Sequence, residues 1–147
     1  MDLMQEIIAR AKADKQRIVL PEGTEERTLK AADRLLADGV ADIILIGNPA
    51  EISSLAANYG LNHIGQATIV DPKNHEKKAA YADLLFQLRQ KKGMTPEKAA
   101  VMVEDPLFLA CLMIKAGDAD GEIAGAQNTT GNVLRPALQI IKTAPGM

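Results

Sequence analysis

Short apolar runs alternate with amphipathic stretches along this chain, a pattern that predicts strands separated by helices. The apolar runs cover residues 17–20, 41–46, 68–70 and 121–125, and their continuous hydrophobic character is typical of buried parallel strands. Helical spacing appears over 2–13, 25–38, 49–59, 74–91, after 95, after 105 and over 133–142. Because helical crossovers join parallel strands, the sequence predicts an α/β, three-layer Rossmann-like domain with a mostly parallel sheet.

Capping residues mark several of the predicted helix ends. Thr24 can cap the helix that Gly39 ends, and Thr95 and Asp105 each precede a proline in a first helical turn. Glu26 can pair with a lysine one turn later. In the 74–91 helix we expect the core-facing positions to be Ala79, Ala80, Leu84, Leu85 and Leu88.

Length, composition and charge exclude a membrane-spanning protein and argue against a nucleic-acid-binding or secreted one. The 147 residues suffice for one domain, and no apolar run approaches the roughly 18 residues of a membrane helix. A net charge of −2 with 3% aromatic residues argues against a nucleic-acid partner. The first 15 residues lack the order of a secretion signal, and the single cysteine permits no internal disulfide. We therefore expect a cytoplasmic protein without a membrane partner.

The end of the chain bears on its domain organisation. Residues 143–147 leave a helix where the alternation would supply another strand. We expect residues 1–147 to form a single α/β domain that is part of a longer protein.

The strongest candidate site is the loop and helix start after the fourth predicted strand. Residues 124–131 include the small residues Gly125, Ala126 and Gly131 and the hydroxyls of Thr129 and Thr130, and Arg135 follows one turn into the helix. Free backbone N–H groups at such a junction bind anions, and an arginine fork suits phosphate oxygens. The alternative is an ordinary connection in which the threonines only cap the helix.

Other candidate side chains are weaker. Arg89, Lys91 and Lys92 end the long helix, where cations are favoured by the helix dipole and a solvated cap is the simpler interpretation. Glu22 follows the first strand, where α/β proteins place residues that face ligands. Cys111, in an apolar helix without basic neighbours, indicates a buried structural thiol. No histidine has a second ligand at useful spacing, so we expect no metal site.

Three segments together resemble the phosphotransacetylases, that is, the phosphate acetyltransferase and phosphate butyryltransferase family. They are IVLPEGTEERTLKAADRLLADGVADIILIGNPAEI (18–52), FQLRQKKGMTPEKA (86–99) and GNVLRPALQIIKTAPG (131–146). The likeness covers essentially the whole chain and corresponds to the amino-terminal part of a longer enzyme. It implies domain 1 of a two-domain fold, with substrates between the domains.

The resemblance also implies a function. Such enzymes interconvert acetyl-CoA and phosphate with acetyl phosphate and CoA; CoA is a substrate, and no cofactor is held permanently. Arg89 and Arg135 match arginines that bind substrate. The catalytic serine and aspartate of the family fall outside these residues, so we expect the isolated chain to be inactive and the full-length protein to be a homodimer.

Alternative interpretations remain open at this stage. Residues 124–132 read AGAQNTTGN and lack the histidine and aspartate that many relatives carry there, so a phosphate butyryltransferase is one alternative. A noncatalytic acyl-CoA-sensing module, like the region fused to some malic enzymes, is another. The third is a small-ligand-binding domain in which the arginines serve only structure.

Overall fold

The computed structural model describes residues 16–122. Strands and helices alternate up to the third strand, and three helices then precede the fourth strand; one 3-10 turn lies before the third strand and another after the third helix. In chain order the elements are β1 (Gln16–Leu20), α1 (Glu26–Asp38), β2 (Ala41–Ile46), α2 (Pro49–Asn58), the turn Ile64–Gln66, β3 (Thr68–Val70), α3 (Lys78–Arg89), the turn Gln90–Lys92, α4 (Pro96–Met102), α5 (Pro106–Lys115) and β4 (Gly121–Glu122).

The four strands form one sheet in the order β3-β2-β1-β4, and every neighbouring pair is parallel. The register aligns Ile18 with Ile43 in β2 and with Gly121 in β4. The parallel α/β architecture predicted from the apolar runs is confirmed. The carboxyl ends of β1 and β2 therefore meet at one edge of the sheet.

Side chains along the central strands point alternately to the two faces of the sheet, and this divides the core into two clusters. Ile43 and Leu45 pack with α1, α2 and the first 3-10 turn on one face. Ile44 and Ile46 pack with α3, α4 and α5 on the other. Successive side chains of a strand point to opposite faces, so a continuous apolar run serves both layers. This is the expected three-layer arrangement.

Local capping chemistry sets most helix ends. The side chains of Asn48, Thr95 and Asp105 accept hydrogen bonds from backbone N–H groups at the starts of α2, α4 and α5. Gly39 ends α1 with a φ of 66°, a left-handed conformation that glycine adopts without a steric penalty. These signals act within a few residues, which explains why the sequence reveals them.

Two expectations about helices are wrong. Glu25 rather than Thr24 caps α1, and its carboxylate accepts a hydrogen bond from the Thr28 N–H at 2.9 Å. In α3 the residues Ala79 and Ala80 are exposed, whereas Tyr81 and Leu85 are buried. The helix begins at Lys78 rather than 74, and its face is set by burying the larger apolar side chains.

Candidate functional site

The loops after β1 and β2 pack tightly against each other at the carboxyl edge of the sheet. The Gly23 N–H donates a hydrogen bond to the Ile46 carbonyl at 3.2 Å. A Cβ atom on Gly23 would lie 2.5 Å from that same oxygen, so this approach requires glycine. Glu22, immediately before it, is 4% exposed. Glu22 therefore follows the first strand as predicted, and its side chain is buried there.

A cleft of about 390 Å³ opens at this edge, between the ends of β1 and β2 and the start of α5. Its lining includes Glu22, Glu51 and Asp105, and among residues 16–122 no lysine or arginine contributes to it. Asn48 also lines the cleft, and both Asn48 and Asp105 serve the local fold, because Asn48 caps α2 and Asp105 caps α5. The part of the cleft formed by the described residues is therefore acidic, and cations for an anionic ligand must come from other elements.

Glu122 adds a second, partly buried acid, on which the charge of Glu22 acts. It is the last described residue of β4, half-buried, and aligned with Val19 of β1. Burial, and then the negative charge of Glu22, raise the pKa of the Glu122 carboxyl to about 7. The sequence analysis did not single out Glu122. An acid inside a short strand, beside a strand that an acid follows two residues after its end, is the signal that could have indicated it.

Arg89 differs from the other described arginines. Arg17, Arg27 and Arg34 each lie within 3.4 Å of a carboxylate oxygen. Arg89, the last residue of α3, is half-buried, and within residues 16–122 no carboxylate forms an ion pair with it. A half-buried arginine that has no carboxylate partner among residues 16–122 can direct its guanidinium donors toward an anionic ligand. The structure does not bring Arg89 into the lining of the acidic cleft.

The basic residues that follow Arg89 are exposed to solvent at the end of the helix. Lys91 and Lys92 are exposed in the 3-10 turn, which Gly93 closes with a φ of 90°. Neither lysine contacts an acid among the described residues. Glu26 pairs with Lys30 at 3.3 Å on the exposed face of α1, as predicted.

Cys111 is fully buried in α5, as expected for a structural thiol. Burial, with smaller contributions from Glu122 and Asp105, raises the pKa of the thiol to about 12. A thiol with that pKa is almost entirely protonated at neutral pH and is a poor nucleophile.

The histidines contact local neighbours. The His63 backbone N–H donates to Asp33 at 2.7 Å, and the ring of His75 packs 5.8 Å from that of Tyr81. Burial lowers the pKa of His75. In the described range, His, Cys, Asp and Glu side chains form no group of three that could hold a metal ion.

A larger cleft, of about 640 Å³, lies at the amino-terminal edge of the sheet. Arg17, Asp42 and Thr68, near the starts of three strands, contribute to its wall, with Lys77 and Asp118. Parallel α/β sheets bind ligands at the carboxyl ends of their strands, so this edge is the less favoured one despite its larger volume. Its two cations are already engaged with Asp118 and Asp120.

Several predicted site residues lie outside the described residues. These are Thr129, Thr130 and Arg135, together with the 124–131 loop and the helix expected after it. Their roles stay predictions. None of the helices in the described part of the chain is both long and apolar enough to cross a membrane.

Residues 2–147 match the family described as phosphate acetyl/butaryl transferase. The phosphate acetyltransferase of Acetivibrio thermocellus is 49% identical over 146 residues, which are 99% of this chain and 43% of that protein. That of Clostridium acetobutylicum is 47% identical over 147 residues, 100% of this chain and 44% of that protein. The chain thus spans less than half the length of these curated relatives.

Solved structures give the same result. The chain is similar to the EutD phosphotransacetylase from Staphylococcus aureus, with a TM-score of 0.87 and 34% identity over 100% of this chain and 45% of that one. A phosphotransacetylase from Streptococcus pyogenes has the same TM-score and coverage at 31% identity. The resemblance read from the three sequence segments is confirmed. The chain belongs to the phosphate acetyl/butaryl transferase family.

Proposed function

We propose that the whole protein is a phosphate acetyltransferase, which converts acetyl-CoA and phosphate to acetyl phosphate and CoA, and the reverse. The observation that carries this proposal is the 49% identity to a phosphate acetyltransferase across 99% of the chain. Residues 1–147 are proposed to be its amino-terminal α/β domain. Acetyl-CoA is then a substrate rather than a resident cofactor.

The proposed reaction needs two kinds of protein group, a base and cations. In the acetyl-CoA-forming direction, the CoA thiolate attacks the carbonyl carbon of acetyl phosphate, a C–S bond forms, and phosphate leaves with the electrons of the broken C–O bond. This step needs a base for the thiol and cations for the phosphate oxygens. Arg89 is the half-buried guanidinium in the described residues that lacks a carboxylate partner, so it is suited to the second task.

We assign Arg135, Thr129 and Thr130 to the same phosphate-binding role, on the strength of their motif. No catalytic residue is assigned within residues 1–147, because the resemblance puts the serine and aspartate elsewhere. We accordingly expect the isolated 147-residue chain to be inactive. The whole protein is expected to be a cytoplasmic homodimer of acetate metabolism.

A coupled assay tests the proposal directly. The purified whole protein should form acetyl-CoA from acetyl phosphate and CoA, with a higher kcat/KM than with butyryl phosphate. A preference for butyryl phosphate would make it a phosphate butyryltransferase. Acetyl-CoA binding without turnover of either acyl phosphate would contradict an enzymatic role and favour the acyl-CoA sensor.

A further inference from the structure

Residues 71–77, which join β3 to α3, form a strap along the cleft at the amino-terminal edge of the sheet. Residues 75–77 contribute to the wall of that cleft. Within the described range, the hydrogen bonds of the strap's backbone come from groups no more than five residues away, as in the contact of the Lys73 N–H with Asp71. The position of the strap therefore depends on what its side chains contact.

His75 is the side chain of the strap that packs against buried structure. Residues 73, 74, 76 and 77 are exposed, whereas His75 is half-buried and its ring lies 5.8 Å from that of Tyr81. Tyr81 is 4% exposed and donates its hydroxyl hydrogen to Asp118. The strap also has an ion pair between Lys77 and Asp118, but such surface pairs contribute little to stability. His75 is therefore the main contact that holds the strap closed.

One nitrogen of the His75 ring is buried without a partner. Solvent does not reach Nε2, and no group among residues 16–122 forms a hydrogen bond with it. In a neutral ring Nε2 can be the unprotonated nitrogen, whereas a charged ring carries hydrogen on both nitrogens. A buried charged donor without an acceptor is costly. The closed strap therefore favours the neutral ring over the charged one.

The charges around His75 do not offset this cost. Burial and then the positive charge of Lys78 lower the pKa of His75, and Asp71 opposes them with a smaller effect. Among the described residues, β3 and α5 contribute only uncharged side chains to the cleft wall. The other charged groups of the wall come from β1, β2, the strap and the segment before β4, and they are Arg17, Asp42, Glu76, Lys77 and Asp118. None of these forms a hydrogen bond with Nε2.

We propose that the strap opens the amino-terminal cleft when the pH falls, with His75 as the group that binds the proton. At neutral pH the uncharged ring lies against Tyr81, and the strap is closed. Below about pH 6.5, the ordinary value for histidine, the ring binds a proton more readily in the open form, where water reaches both nitrogens. Because the open form binds more protons, acidification increases its population and exposes Tyr81 in the cleft wall.

Amide hydrogen exchange of the whole protein at pH 7.5 and pH 5.5 tests this proposal. The rates are first corrected for the direct effect of pH on amide exchange. Peptides covering 71–82 should then exchange up to about tenfold faster at pH 5.5, since the two forms differ by at most one proton over one pH unit below about 6.5. Peptides from α1 report global unfolding, and their corrected rates should not rise with those of 71–82.

Two variants remove the titrating group. His75→Phe keeps a ring against Tyr81 and should hold the strap closed at both pH values, whereas His75→Gln should leave it open at both. The matched control is His63→Gln, which removes the other histidine of the chain and should keep the response of the wild type. Comparison of each variant with the wild type cancels the titration of acids such as Glu122.

The possible results separate clearly. A response that persists in both His75 variants would overturn the proposal, as would a wild type whose 71–82 peptides exchange equally at both pH values. Equal acceleration in α1 would also overturn it, because the whole domain would then be unfolding. Loss of the response in His63→Gln would assign the proton to the other histidine.

Discussion

The hydroxyl of Tyr81 donates a hydrogen bond to a carboxylate oxygen of Asp118, joining α3 to the segment before β4 across 37 residues of sequence. Burial, followed by this contact, raises the pKa of Tyr81 above its ordinary value. The same bond holds the pKa of the Asp118 carboxyl below its usual range, with help from Lys77. The two residues thus form a neutral donor and a charged acceptor at neutral pH.

Removing the Tyr81 hydroxyl tests the strength of this contact. Tyr81→Phe should lower the free energy of unfolding by about 1–2 kcal/mol, since a hydrogen bond to a charged group is lost while the ring stays packed. Urea unfolding measures the change. Tyr59→Phe is the control, because the Tyr59 hydroxyl has no hydrogen-bond partner among the described residues. Equal effects of the two substitutions would contradict this explanation.

Gly23 provides a steric prediction. Gly23→Ala should destabilise the protein by about 1–3 kcal/mol, because the new methyl group would meet the Ile46 carbonyl oxygen at 2.5 Å and force the loops apart. The midpoint of urea unfolding reports the change. For comparison, Gly65→Ala places its methyl group where no heavy atom lies within 4 Å and should change stability by less than about 0.5 kcal/mol. A neutral Gly23→Ala would show that the loops can separate freely.

The raised pKa of Glu122 leads us to expect that the free energy of unfolding depends on pH. Its pKa is about 7 in the folded protein and near the ordinary 4.5 when unfolded, so between these values the folded state binds the extra proton. The contribution of Glu122 to the free energy of unfolding is fully present below pH 4.5, and it is lost as the pH rises through about 7. Glu122→Gln should therefore be more stable than the wild type at pH 8, by about 1–2 kcal/mol after allowance for partial exposure.

The measurement is the difference in unfolding free energy between wild type and Glu122→Gln at pH 5.5 and pH 8, which cancels the titration of other groups such as His75. Glu104→Gln is a control of opposite sign. A hydrogen bond from Lys78 lowers the pKa of Glu104, so its loss should destabilise the protein at pH 8. A pH-independent difference for Glu122→Gln would contradict the prediction.

The phosphate role predicts a kinetic effect of the arginines in the whole protein. Arg89→Ala and Arg135→Ala should each raise the KM for phosphate or CoA roughly 10- to 150-fold, since a charged hydrogen-bonding partner contributes about 1.5–3 kcal/mol. Arg135→Lys should recover part of the loss, because lysine offers a point charge rather than a fork.

Lys92→Ala is the matched control for these substitutions. Lys92 is exposed three residues after Arg89, and its loss should leave KM nearly unchanged. Circular dichroism of each variant checks that it is folded. If Arg89→Ala and Lys92→Ala had the same kinetic constants, Arg89 would have to be assigned to structure instead.

For residues 16–122 the sequence by itself indicated the order of strands and helices and the parallel α/β class, and it also identified the family. Apolar runs mark the four strands, and Thr95 and Asp105 mark helix starts because a capping side chain bonds to backbone only two or three residues away. The three segments that resemble phosphotransacetylases identify the family, which the match over residues 2–147 confirms. All of this information is local or is carried by motifs.

Only the tertiary structure decided which side chains are buried, paired or left without a partner. Arg17 meets Asp120 across 103 residues, while Arg89 meets no acid within the described residues, and nothing in their local sequences distinguishes the two. The buried face of α3 likewise follows from Tyr81 and Leu85 packing on the sheet rather than from the alanine pattern. These outcomes depend on the distance between elements that are remote in the chain, and no local periodicity encodes that distance.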